Sequence, residues 1–375
     1  MNNDYQIFII ENEDPLRNSS GGVMTYIINL SKYFTSLSFK PILLAAGPPG
    51  DQHQENALPF DNLRVSFSQI SNIKYLLLLF YHWKKIPNKS NSIIHCQRAD
   101  YMLPFILFRR KAKLICTLHG MRDFGFAFKK GRFLGIIYSA ISALCLKKAD
   151  QVIVVDQNSY NAYLKKYPWL GKKLNVISTG IDLEVLKPLN KAELRGKYKL
   201  SPEDKVIIFI GRLEIEKNVD FLIQACSGLS EKIKEVKLLI IGNGSKLREL
   251  KELAASLSTD SVIFLGEIEN IRIPELINTA DVLALCSTYE GSPTVIKEAL
   301  ACNIPVVSTD VGDAKIVLSE FKGSLICAKE INAYQQALEE ILINPAVHDY
   351  GETILKYSHT SISKKTFDVY MKVCN

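Results

Sequence analysis

The chain has 375 residues, of which 47% are hydrophobic and 23% charged, and its formal net charge is +7. That length accommodates two domains of ordinary size, and that balance excludes disordered and fibrous classes. The charge is uneven: residues 1–183 carry 23 Lys and Arg against 12 Asp and Glu, or +11, and the remainder 23 against 27, or −4.

The N-terminus shows no basic leader region or cleavage signal, and its apolar run QIFII is only as long as a strand. Short β-branched runs then alternate with longer amphipathic stretches. In the first half the strand candidates are YQIFIIE, KPILLAAG, SIIHCQ, KLICTLHG, QVIVVD and LNVIS; in the second they are KVIIFIG, VKLLIIG, VIFLG, VLALCS and IPVVST. This alternation predicts parallel sheets covered by helices on both faces, as two doubly wound units in tandem. The seam falls in residues 179–190, where the periodicity lapses and Pro188 stops the chain. The expected domains are 1–183 and 184–347, with a helical segment 348–375 packing back on the first, and the ligand is expected in a cleft.

The longest apolar stretches, residues 75–83 and 133–146, fall short of the ~20 that span a bilayer, so a soluble chain is expected. Eight Cys are scattered without C-x-x-C pairs, and Cys96, Cys116 and Cys286 lie in strand-like runs, as reduced core cysteines of a cytosolic protein do. No H-E-x-x-H occurs, no metal or other cofactor is expected, and the acidic loop Glu11, Glu13, Asp14 reads as a solvated turn. The basic clusters Arg109, Arg110, Lys111, Lys113 and Lys129, Lys130, Arg132 are interleaved with aromatic and aliphatic residues. They suit an anionic membrane surface or a phosphate-bearing lipid, a plain solvated surface being the alternative. No nucleic-acid-binding signature accompanies them.

Gly21 and Gly22 follow the first strand candidate, where bare backbone admits a phosphate or sugar. Gly242 and Gly244 follow VKLLII as half of a dinucleotide fingerprint, with Leu247 in the third glycine slot. Asp123-Phe124-Gly125 matches a kinase triplet without the loops that belong to it, and is read as chance. Arg212 and Lys217 in GRLEIEKN lie after a strand, at the edge where open α/β sheets bind ligands. A guanidinium fork and a point charge can together offset a pyrophosphate without a metal; two solvated cations are the bland alternative.

The segment CSTYEGSPTVIKEALACNIPVVSTDVGD, residues 286–313, sets Glu290 and Glu298 on either side of a Ser-Pro helix start. Ser292 is expected to cap the helix and Pro293 to take its first position, leaving the amides of Thr294 to Ile296 to face an anion. Thr294 and Glu298 share a face, which sets the carboxylate about one turn (~5.4 Å) further along. In a chain with 22 Glu, about one pair at this spacing arises by chance, and Glu267 with Glu275 repeats it. Context separates the two pairs.

Together these residues resemble the retaining glycosyltransferases of family 4, over nearly the whole chain. The resemblance is carried by GGV (Gly21, Gly22, Val23), TLHG with His119, STGID, GRLEIEKN, IGNG and the EGSP segment. It implies the GT-B architecture: α/β, two Rossmann-like doubly wound parallel-sheet domains facing across a cleft. It also implies a nucleotide-diphospho-sugar donor, retained anomeric configuration and no bound metal. With the paired carboxylates, the Arg-Lys loop and the basic first domain, the expected reaction is transfer from a UDP- or GDP-sugar to a glycan or lipid-linked acceptor. By position, Glu298 would accept hydrogen bonds from the ribose hydroxyls and Glu290 from a donor-sugar hydroxyl, while Arg212 and Lys217 would meet the departing diphosphate. The amides of Gly291, Ser292, Thr294 and Val295 would complete the cradle, with Gly21, Gly22, Gly242 and Gly244 lining the donor. His119 would lie near the transferred sugar; as a residue closing a strand it also reads as a structural group.

Family members often have Asn where Thr179 stands, Gly where Asn218 stands, Phe-Gly where Ser292-Pro293 stands and a second Gly at Asp313. The first two affect loop geometry more than chemistry; Ser292-Pro293 and Asp313 look like the variants of polysaccharide-assembly members, which favours a bacterial envelope sugar transferase. A nucleotide-sugar epimerase or a non-catalytic nucleotide-sugar-binding protein is the alternative. A dinucleotide oxidoreductase is disfavoured by the incomplete glycine fingerprint.

Overall fold

The computed structural model describes residues 5–16, 22–47, 58–66, 68, 70–86, 89–108, 111–120, 132–257 and 261–374. Gly21, the triplet 123–125, and Arg109, Arg110, Lys129 and Lys130 of the basic clusters lie outside the described residues. The chain divides into two compact units, Met1–Gly180 with His359–Asn375, and Ile181–Ser358.

The first unit holds seven parallel strands: β1 (Gln6–Ile10), β2 (Ile42–Ala46), β3 (Asp61–Ser66), β4 (Ser92–Cys96), β5 (Lys113–Leu118), β6 (Gln151–Val154) and β7 (Leu174–Val176). Their order is β3-β2-β1-β4-β5-β6-β7, so the winding reverses between β1 and β4, where Ile10 pairs with Cys96. Side chains alternate across the sheet. Phe8 and Ile10 enter a core with Tyr75, Tyr101 and Phe105, whereas Ile7 and Ile9 enter another with Ile27, Phe34 and Tyr370.

The second unit holds β8 (Lys205–Ile210), β9 (Val236–Ile241), β10 (Val262–Gly266), β11 (Val282–Leu285), β12 (Val306–Ser308) and β13 (Leu325–Ile326), in the order β10-β9-β8-β11-β12-β13. Here the reversal falls between β8 and β11. Val206 and Ile208 face one core and Ile207 and Phe209 the other, which is why KVIIFI reads as an unbroken apolar run. Two strands escaped the sequence reading, β3 (DNLRVS) and β13 (LI). Both are sheet edges, where one side lacks a neighbour and the apolar signal is correspondingly thin.

The expected segment 348–375 is split. Tyr350, Ile354 and Tyr357 pack in the core of the second unit beside Phe321, and only the helix His359–Cys374 belongs to the first. That helix lies on the helix Gly22–Ser36: Tyr370 meets Phe34 at 5.1 Å between ring centroids, and its hydroxyl bonds His95 Nδ1 at 2.7 Å. The chain changes units after Gly180 and again after Ser358. A Cβ on Gly180 would stand 2.9 Å from His359 Cα, so glycine permits that approach.

Among the described residues no helix is long and apolar enough to cross a membrane. All eight cysteines are free, with Cys96, Cys116 and Cys286 buried. The acidic loop differs from its expectation: Glu11 and Asn12 are buried, and Asp14 faces Arg64 at 3.8 Å rather than water.

Candidate active site

In the second unit the candidate residues gather at the carboxyl ends of β8 and β11, the point where the strand order reverses. After β8 the chain buries Leu213, makes the short turn Ile215–Lys217 and enters the helix Val219–Ser230 through Asn218, whose φ of 47° is left-handed. Asn tolerates that conformation better than other non-glycine residues, which accounts for Asn218 at a position where glycine is common. Its side-chain amide also donates to the Cys286 carbonyl at 3.1 Å, and Thr288 N donates to the Glu216 carbonyl at 2.8 Å. The loop after β8 is thereby tied to the loop after β11.

On this frame Lys217 and Glu290 form an ion pair, and Ser287 Oγ donates to the same carboxylate oxygen at 2.7 Å. Both charged side chains are largely withdrawn from water, at 16% and 14% exposure. Arg212 differs. Its side chain is 68% exposed and its only ion pair among the described residues is a loose one with Glu216 at 3.7 Å. The two cations assigned to one diphosphate are therefore unlike: one is held, the other reaches into solvent.

The helix Thr294–Ala301 starts one residue later than expected, with Pro293 at the cap and no side-chain cap bond. Ser292 does not cap it. Instead its hydroxyl donates to Asp313 Oδ2 at 2.7 Å and accepts from Lys297 Nζ at 2.5 Å. Lys297, fully buried on the inner side of the helix, also binds Asp313 Oδ2 at 3.0 Å and lies 5.7 Å from the Tyr357 ring centroid. The Asp that replaces a common glycine at 313 is thus the counterion of a buried lysine. Gly312, with φ +56°, completes the seat: a Cβ there would stand 1.8 Å from the Gly291 carbonyl oxygen, and Asp313 N donates to that oxygen at 3.2 Å.

The first-turn amides at Thr294 and Val295 have no intrahelical acceptor, as at any helix start. One turn on, the Glu298 carboxyl is half-buried; desolvation pushes its pKa up, and the Thr294 hydroxyl bond and Lys297 pull it back. Gly242 and Gly244 have a packing role that the sequence did not suggest. A Cβ at Gly242 would meet the Gly211 carbonyl oxygen at 1.9 Å, and one at Gly244 the Leu213 carbonyl oxygen at 2.4 Å. Their bareness serves backbone-to-backbone packing, with Leu213 N donating to the Asn243 carbonyl at 2.9 Å.

In the first unit a depression at the ends of β1, β4 and β5 is lined by Glu11, Gln97, Arg98, His119 and Tyr138. His119 Nε2 bonds Gln97 Oε1 at 2.8 Å, and its ring meets Tyr26 edge-on at 5.2 Å. The Gln97 amide nitrogen is buried with no partner among the described residues. Arg98 forks onto Asp100 at 3.0 and 3.1 Å and reaches Tyr138 Oη at 3.2 Å. Gly22 opens the helix Gly22–Ser36, and a Cβ there would meet nothing within 4 Å, so packing does not require glycine.

Sequence reasoning missed Ser287, Lys297 and Gln97. A lone Lys among apolar helix positions was the available signal for Lys297. Ser287 and Gln97 carried none, since their partners are set by the fold. Among the described residues no cluster of three or more His, Cys, Asp or Glu is arranged to hold a metal ion.

Residues 20–185 match the family described as Glycosyltransferase Family 4, and residues 190–356 match Glycosyl transferases group 1. Over 304 residues the chain is 25% identical to the UDP-Gal:alpha-D-GlcNAc-diphosphoundecaprenol alpha-1,3-galactosyltransferase of Escherichia coli, covering 79% of this chain and 78% of that one. Its fold is similar to sucrose-phosphate synthase from Thermosynechococcus elongatus, with a TM-score of 0.83 at 20% identity over 98% and 99% of the two chains. It is also similar to HepE of Anabaena in complex with UDP and glucose, with a TM-score of 0.79 at 16% identity over 98% and 99%. The two parallel-sheet units are those of the GT-B fold, and with both halves matched the chain belongs to the family 4 glycosyltransferases and is a glycosyltransferase.

Proposed function

We propose that the enzyme moves a sugar from a UDP-sugar to a glycan or lipid-linked acceptor, with retention of anomeric configuration, in assembly of a bacterial surface polysaccharide. The observation that carries this reading is the arrangement at the end of β8 and β11: the Lys217–Glu290 pair beside the open amides of the helix Thr294–Ala301. UDP is preferred to GDP because the galactosyltransferase relative is named for UDP-Gal and the HepE complex holds UDP.

In this reading the helix amides and Arg212 receive the diphosphate, Glu298 takes the ribose hydroxyls, and Glu290 takes a donor-sugar hydroxyl. As the bond between the anomeric carbon and the phosphate oxygen breaks, negative charge grows on the diphosphate. Lys217 is already fixed in position to meet it, so little reorganisation is needed at that moment. Arg212, being exposed, closes onto the phosphates when they arrive. No metal is required, because the cations and amides supply the compensating charge. His119, oriented by Gln97, would contact the transferred sugar. The basic first domain would hold the enzyme at the cytoplasmic face of the membrane, where a lipid-linked acceptor is presented.

Thermal shifts with UDP, GDP, ADP and NAD test the donor, since a ligand at 100 times its Kd adds about 2.7 kcal/mol of apparent stability. UDP is expected to raise the melting temperature most. A response to NAD with none to UDP or GDP would overturn the transferase reading. Donor turnover with membrane-extracted acceptors then separates transfer from the runner-up, an epimerase or a non-catalytic binder. A sugar nucleotide that isomerises, or stays intact, would favour the latter.

A further inference from the structure

The helix Asn72–His82 carries large apolar residues on its outer side as well as on its core side. Tyr75 and Leu79 enter the core, while Ile73, Leu77 and Tyr81, each one turn apart, are 59%, 64% and 78% exposed. A helix with a single core face places polar residues at such positions. Its neighbours repeat the anomaly, with Leu107 and Phe108 exposed on the helix Leu103–Phe108, and Ile136, Ile137 and Leu144 exposed on the helix Arg132–Lys148. These helices form one layer. Phe108 stacks on Trp83 at 4.8 Å, the helix Leu103–Phe108 packs against Arg132–Lys148, and Tyr75, Phe105 and Cys145 of the three helices share one core beneath.

Charge on this layer has one sign. Residues 72–85, 103–108 and 132–148 contain no Asp or Glu, and Lys74, Lys84, Lys85, Lys147 and Lys148 are exposed there. We infer that this three-helix face is a peripheral docking surface for an anionic lipid bilayer. Apolar side chains would enter the headgroup boundary while the long lysine stems reach the phosphates, and Tyr81 and Trp83 suit the interface itself. A second copy of the chain is a poorer occupant, because a self-complementary contact would set lysines against lysines. This face is defined by none of the residues of the clusters at 109–113 and 129–132. It gives the proposed lipid-linked acceptor a route to the enzyme, and rests on that reading for its purpose but not for its geometry.

The test is sedimentation of the full-length protein with vesicles of phosphatidylcholine alone and of phosphatidylcholine with phosphatidylglycerol in equal parts. Binding is expected to the mixed vesicles and to weaken as salt is raised. Leu77→Gln with Ile136→Gln is expected to lower partitioning roughly tenfold or more, since two aliphatic side chains even half-buried in the headgroup boundary are together worth at least that factor. Lys84→Glu with Lys85→Glu is expected to abolish the preference for the anionic vesicles. Unchanged melting temperatures verify that the variants fold, and this readout needs no nucleotide, so its failure is distinct from failure of the donor assignment. Absence of wild-type binding, equal binding by the variants, or a wild-type dimer that the apolar substitutions dissociate would each overturn the proposal.

Discussion

Lys217 and Glu290, 73 residues apart in the chain, meet in an ion pair that joins the loop after β8 to the loop after β11. Removing the cation leaves a mostly dehydrated carboxylate behind. Breaking a fully buried pair costs about 3–5 kcal/mol, and this pair keeps some contact with water, so Lys217→Met is expected to lower stability by about 2 kcal/mol in urea denaturation. Turnover is expected to fall about 10²–10³-fold, the usual loss for a preorganised charge at the leaving group. Arg212→Ala is expected to lose turnover with stability unchanged, because its side chain is largely exposed.

Glu298 and Glu275 offer a paired comparison. Glu298→Ala is expected to weaken UDP binding tenfold or more, matching about 1.5–3 kcal/mol for a hydrogen bond to a charged group. Glu275→Ala is expected to leave UDP affinity unchanged, since that carboxylate is engaged by Lys197 and Tyr198. Calorimetric titration of both variants decides, and equal effects would remove the ribose assignment.

Lys297 and Asp313 are tested by a double-mutant cycle. Asp313→Leu alone strands a buried ammonium and is expected to cost about 3–5 kcal/mol. Lys297→Met added to it is expected to recover a large part of that loss, because both charges are then gone. Additive losses would show that the pair is not the seat of the loop.

His95 predicts a pH dependence. It is fully buried, between Tyr370 and Thr117 at 2.7 Å each, and desolvation pulls its pKa from 6.5 down to about 3. Between those values the unfolded chain binds a proton that the folded chain refuses. Stability from this group is therefore complete above about pH 6.5 and declines as pH falls toward 3, at roughly 1.4 kcal/mol per pH unit. Urea midpoints across that range check it, and His95→Asn is expected to flatten the slope.

Metal independence is checked by turnover in excess EDTA, which is expected to match turnover in Mg²⁺. A rate that collapses with EDTA and returns with Mg²⁺ would remove the assignment of the diphosphate charge to Arg212, Lys217 and the helix amides.

The eleven strand candidates of the sequence all have counterparts in the two sheets, because buried parallel strands must be apolar on both faces and so stand out as runs. The edges β3 and β13, the split of 348–375 and the start of the helix after Pro293 did not stand out. In each case a partner distant in the chain set the outcome. Ser292 matched a helix cap locally, and lost that role to a lysine one turn on and an aspartate 21 residues away.

The order of apolar runs and turns was enough to point to two doubly wound units, and GGV, TLHG, STGID, GRLEIEKN, IGNG and the EGSP segment in combination were enough to point to the family, because all are local patterns of residue type. Pairings are another matter. Lys217 with Glu290, Lys297 with Asp313 and His95 with Tyr370 join residues 73, 16 and 275 positions apart. The same holds for Gly242 and Gly244, whose missing side chains answer to the backbone at Gly211 and Leu213. Such contacts exist only once each sheet has formed and its loop ends and covering helices have come together, so the chemistry of each residue was readable early and its partner was not.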